Sequence, residues 1–381
     1  MFTGLLRIGI TGSTGKTTTK EIAGAIIAQE RKVVMNKGNL NSETGLPLSV
    51  FDVRSDHEVG IFEAGMNRQG EIAELARVLN PELALITNIG SAHIGILGSR
   101  DKIAEEKKQI FSEFTGSNIA LIPAEDDYRD FLARDVRGRK VFYGPSSLSA
   151  LGAVRDLGLE GTEIIWDNKA LRFALPGTFN LRNALAAAAM AQELSISNDS
   201  IRLGLQSVKP LFGRGEILYG RTTVIRDCYN SNPESSAAAL DFCDGLQWPG
   251  RRIYVMGSML ELGDLSEEAH AALGRQLASC RAEKLFLFGE EMGPAAEELA
   301  NYSRNNSWNY SAESGKNHCA RQFFYTTKKD ELSKALEDYI KEGDLVLLKG
   351  SRGCALEELT ELLLGNTKQR SSKKGEKVNA T

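Results

Sequence analysis

The residues Gly12-Ser13-Thr14-Gly15-Lys16-Thr17-Thr18 follow an apolar run, Leu5–Ile10, and precede a helical pattern in which Ile22, Ala23, Ile26 and Ile27 share one face. Two glycines in such a loop let backbone N–H groups turn toward phosphate oxygens, and the following helix adds its positive end. Lys16 is placed to reach β- and γ-phosphates, and the Thr17 hydroxyl to ligand Mg²⁺. The spacing is G-x-x-G-K-T-T, shorter than the common G-x-x-x-x-G-K-[ST]; Ile10 stands where the longer form has its first glycine. The other reading is a Gly/Ser turn closed by a lysine. The order strand, turn, Lys-Thr, helix favours phosphate.

Further stretches end apolar runs with polar residues. "IFEAGMNRQGEI" puts Glu63 in the crevice where open α/β sheets bind ligands, as a Mg²⁺ ligand or as a capping or ion-paired carboxylate. "LALITNIGSAHIGILGS" carries His93 in a glycine-bounded loop after a core strand. Of His57, His93, His270 and His318, it alone has that position, and it reads as a metal ligand or substrate contact, against a structural loop histidine. In "DKIAEEKKQIF", Lys107 and Lys108 lie on a charged helix whose pattern alone is that of a solvated face. Asn180 and Asn183 of "LPGTFNLRNALAAAA" could hydrogen-bond a purine edge or cap a helix, and the pattern alone favours caps. "FGRGE" supplies Arg214, in a glycine hinge that can carry it to a γ-phosphate. "VIRDCYNSNPES" supplies Asp227, ending a strand where it can bind ribose hydroxyls; Asn232 with Pro233 is also an ordinary helix start. "VLLKGSRG" offers Lys349, Ser351 and Arg352 to a carboxylate or phosphate, with Gly350 and Gly353 allowing close approach.

The elements that must position these residues alternate. Strand patterns at Leu5–Ile10, Val59–Glu63, Leu83–Asn88 and Asn118–Ile122 are separated by helical ones at Lys16–Gln29, Gly70–Leu79 and Arg100–Phe114. Wholly apolar strands between helices predict a mostly parallel sheet covered on both faces. "TEIIWD" and "ALRFAL" predict a small antiparallel insert before the alanine-rich helix. The alternation restarts after "SVKPLFGRGE", where Pro210 and two glycines break both periods, and predicts a second, Rossmann-like α/β unit. The expected fold is therefore α/β: a P-loop domain over 1–212, a C-terminal α/β domain over 213–366 and a disordered charged tail over 367–381. The polar segment Asn301–Gln322 reads as a surface loop.

With 381 residues, 42% of them hydrophobic, the chain can build two such cores. A net charge of −4 argues against a nucleic-acid partner. Five dispersed cysteines without a C-x-x-C pair read as reduced thiols of a cytoplasmic protein. No apolar run reaches the ~18 residues of a membrane span, and no leader is expected. The expected state is a monomer.

Taken together, these stretches resemble the Mur ligases, the ATP-dependent amide ligases of peptidoglycan assembly. The resemblance runs from about Arg7 to about Leu364 and rests on "ITGSTGKTTTKE", "GNLNSETGLPLS", "EAGMNRQGEI", "NIGSAHIGILGS", "LPGTFNLRNALAAA", "DCYNSNP", "MLELG" and "LLKGSRG". The last three are most similar to the branch that adds D-alanyl-D-alanine to UDP-N-acetylmuramoyl-tripeptide through an acyl phosphate. The resemblance implies that the short P-loop is the family's own form. It implies two Mg²⁺ ions, with Glu63 on one and His93 on the second, and a Lys107 carbamoylated by CO₂ into a further metal ligand. It places Asn180 and Asn183 on the adenine side, Arg214 on the phosphate side, Asp227 on the ribose side, and Asn39 and Asn41 near the muramoyl substrate. Ser258 departs from it, since the family often has aspartate there.

The family also carries a separate domain ahead of the P-loop strand, which holds the UDP group. Here Met1–Gly4 precede that strand. The expectation is a fragment, a separate polypeptide supplying that domain, or a chain that works without it. Two other readings stand beside this one. A folylpolyglutamate- or cyanophycin-type ligase is opposed by "KGSRG" and "MLELG". A non-catalytic ATP-binding partner is opposed by the intact Glu63, His93 and Lys107.

Overall fold

The computed structural model describes residues 4–38, 40–306 and 322–365. Asn39, the stretch 307–321 and the tail 366–381 lie outside the described residues, and with them most of the expected surface loop and the expected disordered tail.

Apolar runs near the start of the chain form the first sheet: β1 (Leu6–Thr11), β2 (Val33–Met35), β3 (Val59–Glu63), β4 (Leu83–Ile86), β5 (Ile119–Pro123) and β6 (Arg139–Tyr143). The order is β2-β3-β1-β4-β5-β6 and every pairing is parallel. Ile10 pairs with Glu63 and Thr11 with Ile86, so the carboxyl ends of the three central strands lie side by side. β2 and β6 carry no clear sequence pattern. β2 has three residues, and β6, at the sheet edge, is largely exposed. An edge strand buries too little to impose an apolar run.

The insert is a three-stranded antiparallel sheet, β7 (Leu151–Asp156), β8 (Thr162–Trp166) and β9 (Lys169–Phe173), one strand more than its sequence pattern indicates. Asp167 and Asn168, both at positive φ, close the β8–β9 hairpin. Trp166 and Phe173 pack into the same core as Ile8, Ile10 and the helix Thr178–Glu193. That helix is buried along most of its length, and its alanines let it lie close to the helix Lys16–Ile27.

The second sheet contains β10 (Glu216–Tyr219), β11 (Thr223–Asp227), β12 (Arg252–Gly257), β13 (Lys284–Phe288), β14 (Gln322–Thr326) and β15 (Leu345–Lys349), in the order β10-β11-β15-β12-β13-β14. β10 is antiparallel to β11 and the other pairings are parallel. Asp227 pairs with Lys349, so both end at the sheet's carboxyl edge. The helix Gly293–Asn306 runs into what the sequence suggests is loop. The expected helix Arg100–Phe114 stops at Lys108 and continues as a 3₁₀ turn, Gln109–Phe111. Among the described residues, no helix is long and apolar enough to cross a membrane.

Candidate active site

The loop that leaves β1 emerges at the centre of the first sheet. Gly12 and Gly15 have φ +147° and +77°. A Cβ on Gly12 would stand 1.8 Å from Thr87 Oγ1, and one on Gly15 2.2 Å from Asn183 Oδ1. Both positions therefore need glycine, for space as well as for backbone conformation. Gly15 caps the helix Lys16–Ile27 without any side-chain acceptor, so the first-turn N–H groups face the cleft.

Asn88 braces this loop from the end of β4. Its Oδ1 accepts from Thr14 N (3.1 Å) and Thr14 Oγ1 (3.2 Å), and its Nδ2 donates to Thr14 O (3.1 Å). Gly90 N donates to Ser13 Oγ (2.8 Å). Lys16 Nζ donates to Gly12 O (2.9 Å). Burial lowers the Lys16 pKa, against the opposing pull of the Glu63 charge.

Glu63 is buried at the end of β3, next in register to the loop. Thr17 Oγ1 donates to its Oε2 (2.6 Å) and Asn41 Nδ2 to its Oε1 (2.7 Å). Asn36 holds the Glu63 backbone at both ends: Glu63 N donates to Oδ1 (2.9 Å), and Nδ2 donates to Glu63 O (3.1 Å). The capping reading of Glu63 is not what the fold uses.

No three His, Cys, Asp or Glu side chains among the described residues form a metal site by themselves. The Thr17 hydroxyl and the Glu63 carboxylate are nonetheless two adjacent hard oxygen donors. Such a sparse set fits Mg²⁺, which keeps waters and shares substrate phosphates.

Lys107 is not on a solvated face. Its side chain is 1% exposed, and no hydrogen bond or ion pair to it is found among the described residues. Burial, reinforced by the Lys16 charge, holds its pKa well below the usual lysine value. The neighbouring Glu106 orients its helix by accepting from Gly70 N (2.8 Å) and Ile72 N (2.9 Å). Lys107 is not among the residues that line the cleft.

His93 does border the cleft. Its Nδ1 is 2.9 Å from Glu261 Oε2, across the boundary between the two sheets' domains. Its pKa is lowered chiefly by burial, and the contact with His93 lowers that of Glu261.

The second sheet contributes the opposite wall. Lys349, 1% exposed, lies 3.3 Å from Asp227 Oδ2 and donates to Asn230 O (2.6 Å). Arg214 stacks on the Tyr229 ring at 4.1 Å, in a hinge whose Gly213 and Gly215 have φ +66° and +73°. The helix Pro233–Gly245 begins with a full capping box between Asn232 and Ser235, as its Asn-Pro start suggests. Ser351 and Arg352 lie off the cleft. Ser351 Oγ accepts from Leu260 N (2.9 Å), and Arg352 pairs with Glu357. Ser258 is buried, and its Oγ has no hydrogen-bond partner among the described residues.

These walls enclose one cleft of about 550 Å³, lined by Lys16, Thr17, Asn41, Glu63, His93, Asn180, Asn183, Arg214, Asp227 and Lys349 among others. That is the size of a nucleotide-scale pocket. Asn180 and Asn183 are not caps, because Gly177 occupies that position. Asn180 Nδ2 donates to Pro176 O (2.8 Å), and Asn183 lies against Gly15. Asn39 lies outside the described residues. Glu234 and Glu261 are not evident from the sequence, and Asn88, which the sequence places at a strand end, is given no role by it. Glu234 accepts from Ser91 N (2.9 Å) and Ser91 Oγ (2.7 Å), joining the domains beside the His93 contact. Each sits inside a stretch with motif character, but its partner is far along the chain and no spacing rule connects them.

Comparison with known proteins agrees with this geometry. Residues 10–191 match the Mur ligase middle domain, and residues 213–352 the Mur ligase glutamate ligase domain. The UDP-N-acetylmuramoyl-tripeptide–D-alanyl-D-alanine ligase of Treponema pallidum is 43% identical over 365 residues, covering 95% of this chain and 75% of the relative. The crystal structure of MurF from Acinetobacter baumannii superposes with a TM-score of 0.83 at 28% identity, over 95% of this chain and 77% of that one. MurF ligase from Thermotoga maritima, solved in complex with ADP, superposes with a TM-score of 0.78 at 27% identity, over 94% of this chain and 79% of that one.

Proposed function

The chain belongs to the Mur ligase family, and from that premise we infer that it joins D-alanyl-D-alanine to UDP-N-acetylmuramoyl-tripeptide at the expense of ATP. The observation that carries this reading is the meeting of Lys16, Thr17 and Glu63 at one end of a nucleotide-sized cleft whose other wall comes from a second domain.

The reaction runs in two displacements. An oxygen of the peptide's terminal carboxylate attacks the γ-phosphorus and the bond to ADP breaks. The acyl phosphate so formed has a leaving group that a carboxylate lacks. The amine of D-alanyl-D-alanine then attacks the acyl carbon, loses a proton, and phosphate departs, leaving the amide. Lys16 and the first-turn N–H groups hold the phosphates and offset charge as it moves to ADP. Asn88 fixes the loop that presents them. Asn180 and Asn183 face the adenine, Asp227 the ribose and Arg214 the phosphates, while Asn41 faces the muramoyl peptide. Lys349, Ser351 and Arg352, carried together by the second domain, would meet a substrate carboxylate or phosphate when that domain closes. Closure also excludes water, which would hydrolyse the acyl phosphate.

Two Mg²⁺ ions, when bound, would supply neutralisation of the negative charge that moves during phosphoryl transfer. Thr17 and Glu63 would hold one and His93 the other. A buried amine with a depressed pKa is neutral more often than a solvated lysine, and a neutral amine is the form that adds to CO₂. Lys107 is therefore suited to carbamoylation, which would turn it into an oxygen donor toward the metals. The nucleotide domain is assigned to 1–212 and the C-terminal domain, which opens with the Gly213–Gly215 hinge, to 213–366. The UDP-linked substrate makes this a cytoplasmic reaction.

Phosphate release measured with UDP-N-acetylmuramoyl-tripeptide, with and without D-alanyl-D-alanine, tests the reading. Dependence on both substrates is expected. Release that follows glutamate instead, or no release with any pair, overturns it.

A further inference from the structure

We propose that Glu261, brought by the second domain, is the positioning residue that sets the tautomer and ring orientation of His93, so that the His93 metal site is complete only when the two domains are docked. This rests on the two-metal reading above and goes beyond it, because nothing in that reading uses Glu261.

The geometry at His93 carries the first part. Nδ1 is the buried ring nitrogen, and Glu261 Oε2 is 2.9 Å from it. Among the described residues no hydrogen bond is assigned to Nδ1, and Glu261 is the carboxylate that faces it. A carboxylate can only accept there, which puts the ring proton on Nδ1 and the lone pair on Nε2. His93 borders the cleft, so Nε2 is the nitrogen left to serve it. A metal-bound histidine whose other nitrogen is held by a carboxylate is a stiffer and more basic ligand.

The backbone carries the second part. His93 (φ +67°) and Glu261 (φ +68°) are both in the left-handed region that residues other than glycine seldom occupy. Gly95 N donates to Glu261 O (3.1 Å). A Cβ on Gly95 would stand 2.3 Å from Gly263 N, and one on Gly263 2.7 Å from Gly95 Cα. Two strained residues and two glycines in backbone contact bring one carboxylate to one imidazole.

The Glu261 loop is itself anchored from behind. Met259 N donates to His270 Nε2 (3.0 Å), and His270 Nδ1 faces Ser266 O (2.7 Å). Leu260 N donates to Ser351 Oγ (2.9 Å). The Glu261 side chain is 51% exposed, so its contact with His93 alone adds little to stability. Orientation of His93 is the role left for it.

The test uses Mn²⁺ as the probe, titrated into the full chain with a non-hydrolysable ATP analogue and followed by electron paramagnetic resonance. Imidazole ¹⁵N spectra with Mg²⁺ report the His93 tautomer, and small-angle scattering reports the domain arrangement. Wild type is expected to bind two ions. Glu261→Ala should weaken the second by about 10- to 100-fold, leave the first unchanged and reduce the Nδ1–H tautomer. Glu261→Gln, whose Oε1 still accepts, should restore most of the loss. Equal weakening of both ions, or two ions held at wild-type affinity by Glu261→Ala, overturns the positioning role alone. So does a changed scattering curve with no rescue by Gln. A single ion in wild type overturns the two-metal reading and this inference with it.

Discussion

Thr17 Oγ1 and Glu63 Oε2 stand 2.6 Å apart although 46 residues separate them in sequence. The pairing follows from register: Ile10 lies beside Glu63, so the loop after β1 passes the end of β3. A hydroxyl and a buried carboxylate in contact at the phosphate end of the cleft suit a shared metal better than a structural bond. Glu63→Ala is expected to lower kcat by about 10²–10³-fold, the usual effect of removing one transition-state charge partner. Metal-free ADP binding should be unchanged. Phosphate release and a nucleotide titration in a chelator check the two halves, and an equal loss in both would reassign Glu63 to folding.

Asn183 Oδ1 occupies the place that a Cβ on Gly15 would need. Gly15→Ala therefore meets both a left-handed φ and a collision, and should cost about 1–3 kcal/mol together with most nucleotide affinity. Adding Asn183→Ala removes the collision but not the strained φ. The double variant should recover part of the stability, a non-additive result readable by urea unfolding.

Lys107 gives a pH-dependent expectation. Its folded pKa is below its unfolded value because burial disfavours the ammonium. Between the two values the unfolded chain binds more protons, so this residue makes stability rise with pH across that window. In CO₂-free buffer, where Lys107 is a free amine, Lys107→Met should then be more stable than wild type. The gain should be largest at the acid end of the folded range and vanish near the unfolded value of about 10.4. The same variant should be inactive. Stripping CO₂ should slow wild type, and bicarbonate should restore it but not the variant. Denaturant unfolding at several pH values and phosphate release would check both effects.

The Asp227–Lys349 pair leaves a buried ammonium dependent on one partly buried carboxylate. Asp227→Asn should cost roughly 2–3 kcal/mol, somewhat under the loss from breaking a fully buried pair. It should also weaken ATP more than a phosphate-only ligand such as tripolyphosphate, since the ribose contact proposed for Asp227 would go with it. Competition binding with the two ligands separates these effects.

How much of this was legible in the chain follows from the range of the forces involved. Local chemistry determined the loop Gly12–Thr18, the capping box at Asn232 and the alternation of apolar strands with amphipathic helices, because each depends on neighbours within a few residues. Resemblance of motifs supplied the family and with it the roles expected of Glu63, His93 and Lys107. Pattern alone misread the Lys107 helix as a solvated face, since nothing in "AEEKK" reveals that Glu106 is consumed capping another helix and turns Lys107 inward. The edge strands β2, β6 and β10 were silent because they bury little. Only tertiary structure decided that Asn183 closes on Gly15, that Asn88 braces the phosphate loop, and that Glu261 reaches His93. Those contacts join residues 74 to 168 positions apart, and strand register and domain docking, rather than local sequence, set the distances between them.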